Sequence, residues 1–202
     1  MTLKAVVTDP WMAEECLARR RALGLDRWDE SWDGVWHMPP APNPEHQRME
    51  AGLLIPMKAV IEGDGRGQVF HEVNVADPQK GMRDFRIPDI AVLLAGGEAA
   101  VGPVAIMGAP DFILEIHSPG DETQEKLPWY AALGVRELLS IDRDTKALAL
   151  YRLNTGRLEE VTAAPDMVDS QVLPLRFERV SEGGAVRVRV SHRDVPGRAW
   201  LV

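Results

Sequence analysis

The chain has 202 residues, of which 45% are hydrophobic and 27% charged, an ordinary globular usage that excludes disordered and fibrous proteins. A lone cysteine, Cys16, can form neither an internal disulfide nor a zinc cluster, so a reducing compartment is expected. The net charge of −8 argues against tight nonspecific binding of nucleic acid, because such binding depends on Lys and Arg side chains that neutralise phosphates.

The length and the apolar pattern predict one domain without a membrane anchor. A chain of this length can bury one sizeable core, and no linker or internal repeat marks a second domain. The amino-terminal apolar stretch is too short and too broken for a signal peptide, and no run approaches the roughly 20 apolar residues of a membrane span. We therefore expect a cytoplasmic protein with no membrane partner, built as a single domain over residues 1–202.

Two helices are predicted in the first third of the chain. Asp9 can cap a helix over residues 10–23, which has Pro10 in its first turn and Gly24 after its end. Farther along, apolar residues spaced mostly by three or four predict a helix that begins at Glu45 and ends near Gly63.

The segment between these helices predicts a β-hairpin. Asp33-Gly34 is a turn signal between two aromatic-rich segments, and the expected role of Asp33 is to form this turn. Four prolines at positions 39, 40, 42 and 44 then predict a stiff loop. Pro56 should kink the second helix.

Three segments in the middle of the chain predict strands. Residues 68–76 alternate polar and apolar side chains, which is typical of a half-buried strand. Residues 88–94 and 111–116 are nearly continuous apolar runs, so both are predicted as central strands of a covered sheet. Each of these two runs carries a carboxylate beside or among its apolar residues, and Asp89 and Glu115 are the two considered below.

The last part of the chain predicts one helix and an antiparallel extension. Residues 121–133 are helical in composition, although Pro128 interrupts them. A strand over residues 135–141 follows, and hairpin signals continue to the end of the chain. We expect a core from about residue 28 to residue 155 and a C-terminal β extension over residues 156–202.

The two strand carboxylates are candidates for a metal site. Asp89 at the start of a buried strand and Glu115 inside an apolar segment both lose hydration free energy unless they are paired or coordinated. If the strands are neighbours, both carboxylates can reach one Mg²⁺, which favours one or two carboxylates together with several waters. The alternative is that each carboxylate pairs with an arginine in a salt-bridge network.

Several short motifs surround these carboxylates: Arg86-Ile87-Pro88-Asp89, Glu115-Ile116-His117-Ser118-Pro119-Gly120-Asp121, Glu125-Lys126, Tyr130-Ala131-Ala132-Leu133-Gly134-Val135 and Glu137-Leu138-Leu139-Ser140-Ile141-Asp142. Together they resemble the Uma-type restriction endonuclease family of the PD-(D/E)XK nuclease superfamily, over roughly residues 28–155. The resemblance implies an α/β (α+β) fold, in which helices flank a restriction-endonuclease-like mixed central sheet with antiparallel hairpin extensions.

The resemblance also implies roles for individual residues. Asp89 and Glu115 are similar to the metal-binding acids of the superfamily, and the backbone carbonyl of Ile116 is similar to a third ligand of Mg²⁺ or Mn²⁺. The lysine that usually lies two residues after the second acid is replaced by His117 in this chain. In the family this lysine has moved to the following helix, which makes Lys126 the matching residue.

These residues and the resemblance together imply a protein that binds nucleic acid and hydrolyses the phosphodiester bonds of DNA with the help of a metal. A bound metal lowers the pKa of water and shields the phosphate, and a lysine can orient the attacking water. The main alternative is a catalytically silent protein that uses the fold as a binding or assembly module, for example as a homodimer. An exposed Lys126 that pairs with Glu122, four residues earlier, would favour that alternative. A small-molecule enzyme with the same acidic pocket is a third interpretation, because a fold does not fix its substrate.

Four other side chains have open roles. His117 is a metal contact, a general base or a residue on the opposite face of the strand. His46, at the start of the second helix, matches a histidine position of the family and is a candidate contact for the substrate or for a metal ligand. Ser118 precedes a helix N-terminus, where N–H groups either bind phosphate or are capped. Glu72 is expected to face solvent.

Overall fold

The computed structural model describes residues 5–161 and 166–202, and these residues form three helices and seventeen strands in three sheets. The helices are α1 (Pro10–Ala22), α2 (Pro44–Ile61) and α3 (Thr123–Leu133). The strands are β1 (Ala5–Val7), β2 (Glu30–Trp32), β3 (Val35–Met38), β4 (Gly67–His71), β5 (Val75–Asp77), β6 (Gly81–Arg86), β7 (Ile90–Leu94), β8 (Ala100–Val101), β9 (Ile106–Met107), β10 (Phe112–His117), β11 (Glu137–Asp142), β12 (Leu148–Asn154), β13 (Arg157–Glu160), β14 (Met167–Asp169), β15 (Leu175–Glu182), β16 (Ala185–His192) and β17 (Ala199–Leu201).

Side-chain caps fix the start of the first two helices. Asp9 accepts a hydrogen bond from the Met12 N–H at 2.9 Å, so the predicted cap of α1 is confirmed. Asn43 caps α2 in the same way by accepting from the His46 N–H at 2.9 Å, which places His46 in the first turn. Within the part of the chain that the structure describes, no helix is long and apolar enough to cross a membrane.

The central sheet is mixed and has six strands in the order β13-β12-β11-β10-β7-β4. Strands β10 and β11 are parallel, and the other neighbours are antiparallel. Asp89 directly precedes β7 and Glu115 lies within β10, so the condition for a shared metal site, that the two strands be neighbours, is met.

Alternate residues of β10 pack on opposite faces of this sheet. Leu114 belongs to the core that also contains Met57 of α2. Ile113 belongs to the core that contains Tyr130 of α3, and all four side chains are fully buried. The sheet is therefore flanked by helices on both faces, and Glu115 shares its face with Ile113.

The second sheet has seven strands in the order β1-β3-β2-β6-β5-β9-β8. Its β2–β3 hairpin turns at Asp33 and Gly34, whose φ angles are 52° and 91°, so the predicted hairpin is confirmed. Strand β6 belongs to this sheet and β7 to the central sheet. The segment Ile87–Asp89 between them therefore carries the chain from one sheet to the other.

The prediction of one strand over residues 68–76 is wrong. This segment forms two strands, β4 in the central sheet and β5 in the seven-stranded sheet. The chain leaves the central sheet at Glu72, which has a φ angle of 44°. A left-handed backbone at this position ends the extended conformation, and the polar-apolar alternation gives no sign of it.

The C-terminal strands form a third sheet in the order β14-β15-β16-β17, which is antiparallel throughout. Phe177 and Val190 of this sheet are fully buried, and they share a core with Leu53 of α2. The hairpin β12–β13 instead extends the central sheet. The predicted antiparallel extension is thus divided between two sheets.

Gly67 permits the close pairing of β4 with β7. A Cβ atom at this position would lie 2.0 Å from the carbonyl oxygen of Leu93 and 2.9 Å from the Cα of Leu94. We expect Gly67→Ala to lower the free energy of unfolding by about 1–3 kcal/mol, the usual cost of overpacking. Denaturant titration measures this loss. The neighbouring variant Gln68→Ala, at an exposed position, should change it by less than about 0.5 kcal/mol.

Candidate active site

A cavity of about 240 Å³ lies where the central sheet and the seven-stranded sheet meet. Its walls come from both sheets, from α2 and α3, and from the proline-rich loop before α2. The polar and charged side chains that line it include Glu30, His46, Asp89, Glu115, Ser118 and Lys126. Six of the seven predicted site residues line the cavity: Asp89, Glu115, Ile116, His46, Ser118 and Lys126.

Both carboxylate oxygens of Asp89 have a hydrogen-bond partner. Oδ1 lies 2.8 Å from Nε2 of His46, and Oδ2 accepts a hydrogen bond from the backbone N–H of Ile116 at 2.5 Å. Burial alone would lower the pKa of His46, but the hydrogen bond to Asp89 and its charge reverse this effect and raise the pKa. The other ring nitrogen, Nδ1, lies 3.3 Å from the hydroxyl of Ser118.

Glu50 adds a third potential ligand one turn after His46. It is 5% exposed, and its Oε1 atom accepts no hydrogen bond from the described residues, although His71 Nδ1 lies 3.4 Å away. Burial, followed by the charge of Asp89, raises the pKa of Glu50 to about 8. One ligand atom from each of His46, Glu50 and Asp89 lies within 4.8 Å of the others, which fits a shared divalent cation.

Glu115 and Lys126 form a buried pair on the α3 side of the cavity. The Glu115 side chain is 5% exposed, and Lys126 Nζ lies 3.6 Å from its Oε1 atom. The Tyr130 hydroxyl donates a hydrogen bond to the same oxygen at 2.8 Å. Burial raises the pKa of Glu115. The charges of Glu115 and Glu30 outweigh burial and raise the pKa of Lys126, so this ammonium stays charged.

Glu30 is a further acid of the cavity that the sequence interpretation did not include. It lies on β2, is 4% exposed, and accepts a hydrogen bond from Lys126 Nζ at 2.8 Å. Its oxygens also accept from the backbone N–H of Ile87 and from Nε1 of Trp32, each at 2.8 Å. Lys126 is therefore placed between two acids from different sheets.

The structure does not place His117 in this cavity. Among the described residues His117 is not part of the cavity wall; its Nδ1 atom lies 2.8 Å from Asp121 Oδ1, and its side chain is 35% exposed. Asp121 also accepts hydrogen bonds from the backbone N–H groups of Ser118 and Thr123. These two donors, one before α3 and one at its first residue, are capped and not available to a phosphate.

The interpretation that Glu72 faces solvent is wrong. Its side chain is 7% exposed, and its carboxylate accepts a hydrogen bond from Trp28 Nε1 at 2.6 Å and pairs with Arg27 at 2.5 Å. The left-handed backbone at this residue breaks the alternation of the strand. The side chain therefore does not follow the pattern from which its exposure was inferred.

Glu50, Glu30 and Tyr130 are the contributors that sequence reasoning missed. A signal existed for Glu50, because His46 and Glu50 are spaced by four residues and lie on one face of α2. No local signal existed for Glu30, since its partner Lys126 is far away in the chain. Tyr130 was part of a recognised motif, but its hydroxyl contact with Glu115 depends on the packing of α3.

A solved structure shares the fold of this chain. A crystal structure titled as a "putative nuclease belonging to DUF820" from Anabaena variabilis matches with a TM-score of 0.57 and 19% sequence identity, over 70% of this chain and 80% of that chain. This similarity shows the fold, which is the restriction-endonuclease-like nuclease fold. No curated protein matches the chain significantly.

A match to a protein-family model is more specific than this structural similarity. The chain belongs to the Uma2 family, described as "Putative restriction endonuclease", whose model matches residues 25–183. The matched range includes every side chain of the cavity wall named above, and it extends through β14 and β15 of the third sheet. The resemblance to this family is thus confirmed.

The raised pKa of Glu50 predicts how stability depends on pH. In the absence of divalent metal, the folded protein holds this proton up to about pH 8, whereas the unfolded chain releases it near 4.5. The contribution of the protonated Glu50 to the free energy of unfolding is therefore complete below pH 4.5. It is lost as pH rises to 8, by up to about 1.4 kcal/mol per pH unit. We expect Glu50→Gln to remove this loss and to melt at a higher temperature than wild type at pH 8.

Thermal melts with a chelator at several pH values measure this difference. With millimolar Mg²⁺ or Mn²⁺ the order should reverse, because a cation stabilises only a protein that can bind it. Glu62→Gln, which changes an exposed carboxylate at the C-terminal end of the same helix, is the control. Parallel pH profiles for wild type and Glu50→Gln would contradict the expectation.

Proposed function

We propose that this protein is a metal-dependent nuclease that hydrolyses phosphodiester bonds of DNA. The observation that carries the proposal is the position of the Lys126 ammonium, 3.6 Å from Glu115, in the cavity that also contains Asp89. Two carboxylates on neighbouring strands and a lysine of the helix that follows them form the set of groups that this chemistry requires. The family description and the nuclease title of the structural relative support the same reaction class.

The residues present fit a divalent cation. Asp89 is the ligand common to the set implied by the family, with Glu115 and the Ile116 carbonyl, and to the cluster with His46 and Glu50. Glu50 Oε1 accepts no hydrogen bond from the described residues, and this favours a cation because a buried carboxylate oxygen without a donor is costly. Mg²⁺ suits the carboxylates, and Mn²⁺, which also favours carboxylate, carbonyl and water ligands, is a second candidate.

The chain's own groups then have distinct tasks. A bound metal would lower the pKa of water and shield the phosphate charge. Lys126 can donate to the attacking water or to the phosphoryl oxygens on which negative charge develops. Tyr130 fixes the orientation of Glu115, and the Ile116 N–H fixes that of Asp89. The acids are thus preorganised without movement of the backbone.

An exposed Lys126 would have favoured the silent-module alternative. The Lys126 side chain is 13% exposed and contacts Glu30 and Glu115 in the cavity. This placement supports the catalytic interpretation over the silent one. The substrate assignment to DNA rests on the family description, since the overall charge of −8 gives no support for it.

Cleavage assays test the proposed function. Purified protein is incubated with plasmid DNA, single-stranded DNA and RNA, in Mg²⁺, in Mn²⁺ and in chelator. We expect cleavage of DNA that needs the metal and stops with the chelator. Intact substrates under all conditions would contradict the proposal, and cleavage of RNA alone would replace its substrate.

A further inference from the structure

Glu30 is a buried carboxylate with one fixed orientation. Its Oε1 atom accepts from Lys126 Nζ and from the Ile87 N–H, both at 2.8 Å, and its Oε2 atom accepts from Trp32 Nε1 at 2.8 Å. Because each oxygen has a donor, the carboxylate cannot rotate without losing hydrogen bonds in a buried site. The end of the Lys126 side chain is held by a rigid partner.

The two acids beside Lys126 are not equivalent. Lys126 Nζ lies at hydrogen-bond distance from Glu30, 2.8 Å, but 3.6 Å from Glu115, where only a charge interaction remains. Glu115 instead accepts from the Tyr130 hydroxyl. An ammonium group has three donors, so anchoring by Glu30 leaves donors for a group in the cavity.

We infer that Glu30 is the positioning residue that holds the Lys126 ammonium at the cavity. The inference rests on the proposed function, in which Lys126 acts on the attacking water or on the phosphoryl group. A lysine has a flexible four-carbon stem, and a displacement of about 1 Å of a reacting group can lower a rate about 100-fold. The hydrogen bond from Lys126 to Glu30 restricts the motion of that stem.

Glu30 also connects Lys126 to the segment that carries Asp89. Ile87, whose N–H it accepts, lies two residues before Asp89 in the crossing between sheets. One carboxylate of β2 therefore sets the distance between the lysine of α3 and the chain that carries the metal-binding acid. This geometry explains why a hairpin strand contributes a buried acid to a cavity formed at the ends of other strands.

The chain contains a matched pair outside the cavity. Glu62 Oε1 accepts from Lys58 Nζ at 2.7 Å and from the Val69 N–H at 3.0 Å, the same combination of a lysine and a backbone donor. Glu62 is exposed and does not line the cavity among the described residues. Glu62→Gln is thus the control for Glu30→Gln.

Steady-state kinetics with DNA provide the first test. We expect Glu30→Gln to lower kcat about 10- to 100-fold with KM within twofold, and Glu62→Gln to change neither. In a Lys126→Met background, Glu30→Gln should lower kcat no further, because it acts through the lysine. Independent, multiplicative losses in the double variant would overturn the inference.

Amine labelling provides a second test that does not depend on nuclease activity. The sequence has five lysines, and acetylation of each by an activated ester is followed by mass spectrometry. Glu30→Gln should increase the labelling rate of Lys126 several-fold and leave Lys80 and Lys146 unchanged, since it releases the buried amine. An unchanged rate at Lys126 would overturn the inference.

These two tests separate the inference from the proposed function. If wild type cleaves no nucleic acid, the proposed function fails, and labelling still decides whether Glu30 holds Lys126. If Glu30→Gln does not fold, Glu30→Asp replaces it, because it keeps the charge and withdraws the carboxylate by one methylene. The same increase in Lys126 labelling is expected for Glu30→Asp, and its absence contradicts the anchoring.

Discussion

Asp89→Asn is expected to abolish cleavage in Mg²⁺ and Mn²⁺ while leaving the protein folded. The change removes a carboxylate charge but keeps an oxygen that can accept from the Ile116 N–H. Asp89 is the ligand shared by both candidate metal sets, so its loss should reduce kcat/KM by three orders of magnitude or more, about 4 kcal/mol in the barrier. Cleavage rates at saturating metal measure the effect.

An aspartate outside the cavity is the control for this variant. Asp169 pairs with Arg176 at 2.7 Å in the third sheet, and Asp169→Asn should cleave DNA at the wild-type rate. The thermal stabilisation by metal should disappear in Asp89→Asn and persist in Asp169→Asn. Full activity of Asp89→Asn that a chelator still abolishes would show that the metal binds at another site.

Lys126→Met should lower kcat about 100-fold with little change in metal affinity. The methionine fills the space of the lysine stem but offers no donor to the attacking water or to the phosphoryl oxygens. Titration with metal, followed by melting temperature, should show binding that is unchanged or tighter, because a competing cation is gone. Single-turnover rates then isolate the chemical step.

Folding of this variant needs its own measurement. Lys126 neutralises two buried acids, and removal of one partner from a buried charge cluster costs about 3–5 kcal/mol of stability. Circular dichroism and the melting temperature define the range of temperatures in which Lys126→Met is folded, and activity is compared within that range. Lys58→Met, at the exposed pair, should lose no activity. A kcat for Lys126→Met within threefold of wild type would exclude the lysine from the reaction.

Local signals in the sequence predicted the framework well. The cap at Asp9 and the turn at Asp33 were found because capping and turn formation depend on residues only a few positions apart. The central strands were found because apolar runs mark strands that are buried on both faces. The break at Glu72 was not found, because an alternating pattern is equally compatible with one strand or with two strands in different sheets.

The candidate site was predicted in part. The residues that were missed are again those whose role depends on partners far away in the chain. Asp89 and Glu115 were selected because a carboxylate in an apolar run is unusual by itself, and Lys126 was selected by resemblance to a family motif. Glu30 carries no such mark, since an acid next to tryptophans in a hairpin is ordinary until the fold places it against Lys126. The burial of Glu50 is likewise a property of the packed structure, as is the lack of a hydrogen-bond donor to its Oε1 atom among the described residues.

The crossing of the chain between two sheets at Ile87–Asp89 has a consequence for the order of folding. The anchor on β2 and the lysine on α3 are separated by nearly a hundred positions, so their contact has a high contact order and forms slowly. During synthesis the hairpin emerges long before α3, so Lys126 reaches Glu30 and Glu115 only after that helix docks. Under the proposed function, hydrolytic activity would therefore be acquired late in folding.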